Sequence, residues 1–161
     1  LEASPTPGPV EDAPATTATP TIEIVFGPTE ELFTPSANNT AALFPFTLLN
    51  EAVTYTEHVT QGCEGVWVSG EVFGLSGESV TGLPIQVTGE SFDFIEFSGS
   101  APEWGESGYQ VLLNTSPIEA EFEVRLLSTT AMPLSEPIVV RTLDSCERNV
   151  AVVNFVQNRD Y

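Results

Sequence analysis

Hydrophobic positions recur along this chain with a period of two, in short runs separated by Gly, Pro, Ser, Asn or Asp. Val66, Val68 and Val72 share one face of a clear run, with Gly70 on that same face, where a close backbone approach or a bulge is expected. Val53, Tyr55 and Val59 precede it, and Leu83, Ile85 and Val87 follow it. In SFDFIEF the alternation breaks, because Phe92 and Phe94 lie in one phase and Ile95 and Phe97 in the other, which predicts a bulge. Tyr109, Val111 and Leu113 make the next run. EAEFEVRL is the cleanest: Ala120, Phe122, Val124 and Leu126 point to a core, while Glu119, Glu121, Glu123 and Arg125 point to water. PIVVRT and NVAVVNFV supply a closing hairpin with Cys146 in its turn. No run of ten residues has helical spacing. Seven or eight short strands at this spacing predict an all-β sandwich over residues 46–161.

The first 45 residues read differently. LEASPTPGPVEDAPATTATP is a linker composition, extended and polyproline-like, whose Ser and Thr density also suits an O-glycosylated stalk. Directly behind it, TIEIVF (residues 21–26) places Ile22, Ile24 and Phe26 on one face of a strand and Glu23 and Val25 on the other. Gly27 and Pro28 end that strand, and a loop around Pro35 to Asn39 separates it from the apolar piece AALFPF. It is a strand with no neighbour in sequence. Two destinations are open to it: the edge of its own sandwich, covering a hazard that β-proteins must manage, or the sheet of another subunit, by strand addition.

The length of 161 residues fits one domain with an appended arm. Acidic residues outnumber basic ones 23 to 4, and there is no lysine. A formal charge of −19 repels nucleic acid and anionic lipid, and is read as the solvated surface of a secreted protein. No stretch of 18 apolar residues is present, so no membrane-spanning helix is expected. Leu1 at the start suits a mature chain freed of a signal peptide, or simply a chosen boundary. Cys63 and Cys146, without a CxxC motif or clustered histidines, read as a structural disulfide across the sandwich, and hence as an oxidising, extracytoplasmic setting.

Candidate chemistry is sparse. The single histidine, His58, lacks the partners of a triad or a metal cage and reads as a polar residue on the rim. No GxSxG, HExxH or DxDxDG pattern occurs, so no catalytic residue, metal or cofactor is assigned and the chain is expected not to be an enzyme. Glu119, Glu121 and Glu123 stand about 7 Å apart along one strand face, too far for one tight cation site. Trp104, in the loop SAPEWGES, is a candidate for stacking on a sugar and more simply a cap on the sandwich; Trp67 belongs to packing. Asn38 and Asn114 fit the N-glycosylation acceptor pattern.

Val68 to Gly89, VSGEVFGLSGESVTGLPIQVTG, resembles the opening of carboxypeptidase-regulatory-like, transthyretin-type sandwich modules, with Gly70, Val72, Gly77, Val80, Gly82 and Val87 carrying the match. More widely, residues 46–159 resemble a module that recurs in surface proteins of Chloroflexota-like filamentous bacteria, with a Cys before the first core strand, GEVF, SEPIVVRT, a second Cys and VNFVQN. The resemblance implies an immunoglobulin-like or transthyretin-like sandwich acting as a spacer, stalk or binding accessory. Lys-Asn isopeptide staples of related pilin modules need a lysine, which this chain lacks, and LPIQV departs from the sortase signal LPxTG. The expectation is therefore an extracellular, cell-surface filament subunit, joined head to tail by donor strand Ile22, Ile24, Val25 and Phe26. The alternative is a monomeric surface module that binds sugar or peptide.

Overall fold

The computed structural model describes residues 43–161; the candidate donor strand 21–26 and Asn38 lie outside the described residues. The strands are β1 (Phe46–Leu48), β2 (Thr54–Thr56), β3 (Val66–Gly70), β4 (Val72–Phe73), β5 (Pro84–Gly89), β6 (Phe92–Phe97), β7 (Tyr109–Asn114), β8 (Glu121–Leu126), β9 (Ile138–Arg141), β10 (Val150–Val152) and β11 (Phe155–Gln157). Helical backbone among the described residues is limited to single 3₁₀ turns. The fold is all-β and sandwich-like, as the alternation predicts.

Among the described residues eleven strands form three sheets, ordered β1-β11-β4, β2-β10-β3-β7 and β6-β5-β8-β9, rather than the seven or eight strands expected. The difference has a local cause. β3 and β4 are one chain path interrupted at Glu71, and β10 and β11 are one path interrupted at Val153 and Asn154. The two paths run parallel and keep bonding through the interruption: Val153 N–H donates to Ser69 O at 2.8 Å and Phe155 N–H to Glu71 O at 2.9 Å. Asn154 Oδ1 accepts the Glu71 N–H at 2.9 Å, filling the gap in the ladder. The first two sheets are thus one kinked layer of four rows, facing a second layer of four.

Period-two positions fill the space between the layers. Val66, Val68, Val72, Tyr109 and Val111 from one layer meet Ile85, Val87, Val124 and Leu126 from the other, all buried. Gly70 lies in phase with the valines, and a Cβ there would stand 2.0 Å from Val153 O. The close approach expected at this glycine is present. Tyr109 donates its hydroxyl to that same Val153 O at 2.6 Å. Complete burial pushes the Tyr109 phenol far above its ordinary value, so it stays a donor.

Three sequence expectations are corrected. The β5–β6 register runs unbroken from Pro84 opposite Phe97 to Gly89 opposite Phe92, so SFDFIEF holds no bulge; the phase change instead marks an edge strand that is apolar on both faces. The β3–β7 pair carries a register shift, between Val66 and Trp67. PIVVRT and NVAVVNFV do not form a hairpin: β9 pairs with β8 in the second layer, β10 joins β2 and β3 in the first, and the turn at Cys146–Arg148 carries the chain between layers. Finally, the Cys63–Cys146 disulfide, with Cα atoms 4.6 Å apart, does not cross the sandwich. It ties the loop before β3 to the turn before β10, two parallel neighbours in one sheet.

Gly70→Ala is expected to lower unfolding free energy by about 3 kcal/mol, since the obstacle is backbone that cannot swing aside. A urea titration of the variant beside the parent measures this. Replacing Cys63 and Cys146 together by Ser opens a loop of 83-residue separation. On the chain-entropy model it costs about 4 to 5 kcal/mol, readable as a fall in urea midpoint matching that of the reduced parent.

Candidate functional site

The two long sides of the sandwich differ. On one side the layers are laced: Tyr55 Oη donates to Arg141 O at 2.8 Å, and Phe46 N–H donates to Leu134 O at 3.0 Å. These bonds join β2 to β9 and β1 to the loop between β8 and β9. On the other side β6 packs against β7, Gly99 and Ala101 N–H donate to Gly108 O just before β7, and among the described residues β6 has β5 as its one ladder partner.

The free side of β6 can be read from its hydrogen-bond phase. Pro84 directs its carbonyl to Leu127 N–H at 2.8 Å, on the β8 side, and has no N–H to give to Phe97 opposite it. Antiparallel pairs alternate between bonded and non-bonded. Phe92, Phe94 and Glu96 therefore bond β5, whereas Asp93, Ile95 and Phe97 turn their backbone groups outward. Phe97 is already satisfied, its N–H by its neighbour Glu96 Oε1 at 2.9 Å and its carbonyl by Ser100 N–H at 3.1 Å. Asp93 and Ile95 are left as the open part of the ladder.

The same strand is apolar on both faces. Phe94 and Ile95 are each 46% exposed and Phe97 is 50% exposed, so three of the ten exposed large hydrophobics of the described residues fall within four positions of one strand. Phe94 is opposite the buried Val87, yet stays about half exposed. Phe92, one step along, is anchored edge-on against Phe122 with ring centroids 5.9 Å apart. An apolar edge strand with no second ladder partner among the described residues is a template for another strand.

Next to this edge, the outer face of the first layer carries an aromatic and polar cluster. Gln110, on β7, accepts at Oε1 both from Trp104 Nε1 (2.5 Å) and from His58 Nε2 (2.9 Å). His58 Nδ1 receives Thr60 N–H and Gln61 N–H at 3.2 and 3.1 Å. Two donors at Nδ1 fix the tautomer: the ring proton sits on Nε2, where it meets Gln110. His58 is 4% exposed and wedged between Trp67 and Trp104, with centroids 4.9 and 6.0 Å away. It is a buried organiser of its loop and not the rim residue expected from sequence. Trp104 is half-buried with its indole N–H occupied, and forms part of this cap.

The remaining sequence candidates stay apart. Glu119, Glu121 and Glu123 line the solvated face and end of β8; Glu121 Oε2 meets Arg141 Nε at 3.1 Å on the exposed surface. An open groove of about 530 Å³ at that end has Phe92, Leu113 and Phe122 as its floor and Glu90, Glu119 and Glu121 on its rim. No group of three His, Cys, Asp or Glu able to hold a metal occurs among the described residues. Asn114 ends β7, half-buried, and donates from Nδ2 to Ser116 O at 3.0 Å. Sequence reasoning missed the β6 edge, although its signal, the broken phase of SFDFIEF, was visible. Gln110 carried no signal.

No protein-family model matches the chain, and no curated protein matches it. A solved structure similar to it is the dioxygenase domain of a dioxygenase carbohydrate-binding protein fusion from Streptomyces sp. SirexAA-E. That match has 14% identity and a TM-score of 0.36, and covers 64% of this chain and 85% of the other.

Gln110→Leu removes the acceptor shared by two donors and is expected to cost about 2 to 4 kcal/mol, with Trp fluorescence of the folded state altered in the same variant. Glu71, whose carboxylate lies beside Gly105, is held above its ordinary value of 4.5 by burial. Its native form binds protons more readily than its unfolded form, so its contribution to stability falls as pH rises through the interval above 4.5. Glu71→Gln should therefore be more stable than the parent at neutral pH, with the gain fading below the ordinary carboxylate range. Thermal melts of both proteins across pH 3 to 8, roughly the span in which carboxylates titrate, measure the difference.

Proposed function

We propose that this chain is a non-enzymatic structural subunit of an extracellular, cell-surface filament, assembled without covalent bonds by donation of residues 21–26 to a neighbouring copy. The observation that carries the reading is the apolar edge of β6, which has one ladder partner among the described residues, in a chain whose sequence also holds a strand pattern at residues 21–26. Residues 43–161 pack a core between two layers of their own. TIEIVF has three large apolar side chains in phase, and burying them contributes roughly 1.5 to 3 kcal/mol each before ordering costs. The ladder of main-chain bonds sets direction. A contact between two different surfaces makes fibres when its rotation does not close into a ring.

The disulfide supports an oxidising, extracytoplasmic setting. The described residues include no helix long and apolar enough to cross a membrane. With a formal charge of −19, copies repel one another, so moderate salt should favour assembly.

Electron microscopy and light scattering on the full chain and on one lacking residues 1–27 test the proposal. Fibres from the full chain and monomers from the truncated one are expected, with fibres more abundant in 0.5 M than in 0.05 M salt, roughly a threefold change in Debye length. Monomers from both at high concentration would favour the alternative, a monomeric surface module.

A further inference from the structure

We infer that the acceptor for the donated strand is the outer edge of β6, and that it is β6 of a different copy. This rests on the proposed donor-strand reading and specifies its receiving half. Asp93 and Ile95 present the outward backbone groups, and Phe94, Ile95 and Phe97 present the apolar surface on both faces of the strand. The donor pattern suits a two-faced acceptor. Ile22, Ile24 and Phe26 would lie on the face shared with Phe92 and Phe94, and Val25 on the face shared with Ile95 and Phe97.

The place where the undescribed chain joins the body argues for a second copy as its source. Leu43 O accepts from Arg159 Nη2, and Pro45 O accepts from Asn158 N–H at 2.9 Å, so the root of the arm is fastened beside β1 and β11. That row is the laced side of the sandwich. β6 is the last row of the other side, so root and acceptor lie on opposite edges of one body. Residues 27–42 reach up to roughly 55 Å when extended, enough to carry the strand from one edge to the facing edge of the next body in the same orientation. Repetition of that step gives a head-to-tail row. Across the second layer, a path to the same copy's β6 would pass Val139 and then cross Glu123, Arg125 and Gln86 on the outer face, with no continuous apolar track to hold it.

Glu96 gives the edge a guard. Its carboxylate occupies the outward N–H of Phe97, so a strand that pairs along the full length of β6 must displace it. Free copies thereby keep one end of the hazard covered, and the open segment at Asp93 and Ile95 is where pairing would begin.

Ile95→Pro tests the inference with little disturbance of the fold, because the N–H it removes points away from β5. Assembly of the full-length variant should fall at least about tenfold, an effect of the size that one lost docking interaction produces, with the far-ultraviolet spectrum and melting temperature kept close to the parent's. Should the Pro variant melt early, Ile95→Lys supplies the same readout. A second measurement mixes two full-length proteins of different mass, one with Val25→Cys and the other with Ile95→Cys, and oxidises them. A mixed disulfide dimer that grows with concentration is expected. Fibres formed equally well by a folded Ile95→Pro variant would overturn β6 as the acceptor while leaving the filament reading intact. Absence of fibres from the unmodified chain would overturn that reading itself. If one chain carrying both Cys substitutions closes on itself at high dilution and stays monomeric, the second-copy claim fails.

Discussion

One backbone carbonyl, Val153 O, is the point around which the body is organised. It accepts the Tyr109 hydroxyl from below and lies where a side chain on Gly70 would have to stand. Those two contacts set the kink at which β3 passes into β4 beside β10 and β11, and Asn154 closes the gap by accepting from Glu71. A buried carbonyl without a partner would be costly, and a buried tyrosine without an acceptor equally so. Each relieves the other, and the parallel rows that result hold the first layer together.

This kink accounts for how the sandwich is stapled and which side is left open. Because the chain returns parallel to its own first core strand, Cys63 and Cys146 arrive at the same end of one sheet, and the disulfide reinforces that pair. The adjoining row, β1 and β2, is bonded to β9 through Tyr55 and to the β8–β9 loop through Phe46. The opposite side is bonded at the loop end of β6, where Gly99 and Ala101 N–H both donate to Gly108 O at 2.8 and 3.0 Å. It ends in β6, whose outward backbone groups and exposed aromatics are the requirements of a strand acceptor.

Much of this was legible from alternation. Val66, Val68, Val72, Ile85, Val87, Tyr109, Val111, Phe122, Val124 and Leu126 are buried as their phase predicts, and Gly70 marks a close approach. The errors came where a local pattern depends on distant partners. SFDFIEF reads as bulged because alternation assumes one wet and one dry face, whereas this edge strand is apolar on both. The last two runs were read as a hairpin because proximity in sequence favours it, although the Cys146 turn passes between layers. The His58 cluster is opaque in sequence: its members come from separate segments, and nothing near His58 announces that Gln110 Oε1 will accept its hydrogen bond.

The central claim is that the outward amides of β6 are covered by a strand from another copy. Hydrogen exchange read by mass spectrometry on the full chain, at high and low protein concentration, tests it most directly, since amide protection reports local pairing. The account predicts that the peptide containing Asp93 and Ile95 exchanges fast when dilute and is slowed when concentrated, while β5 stays protected in both. Equal exchange at both concentrations, whether fast or slow, would contradict it.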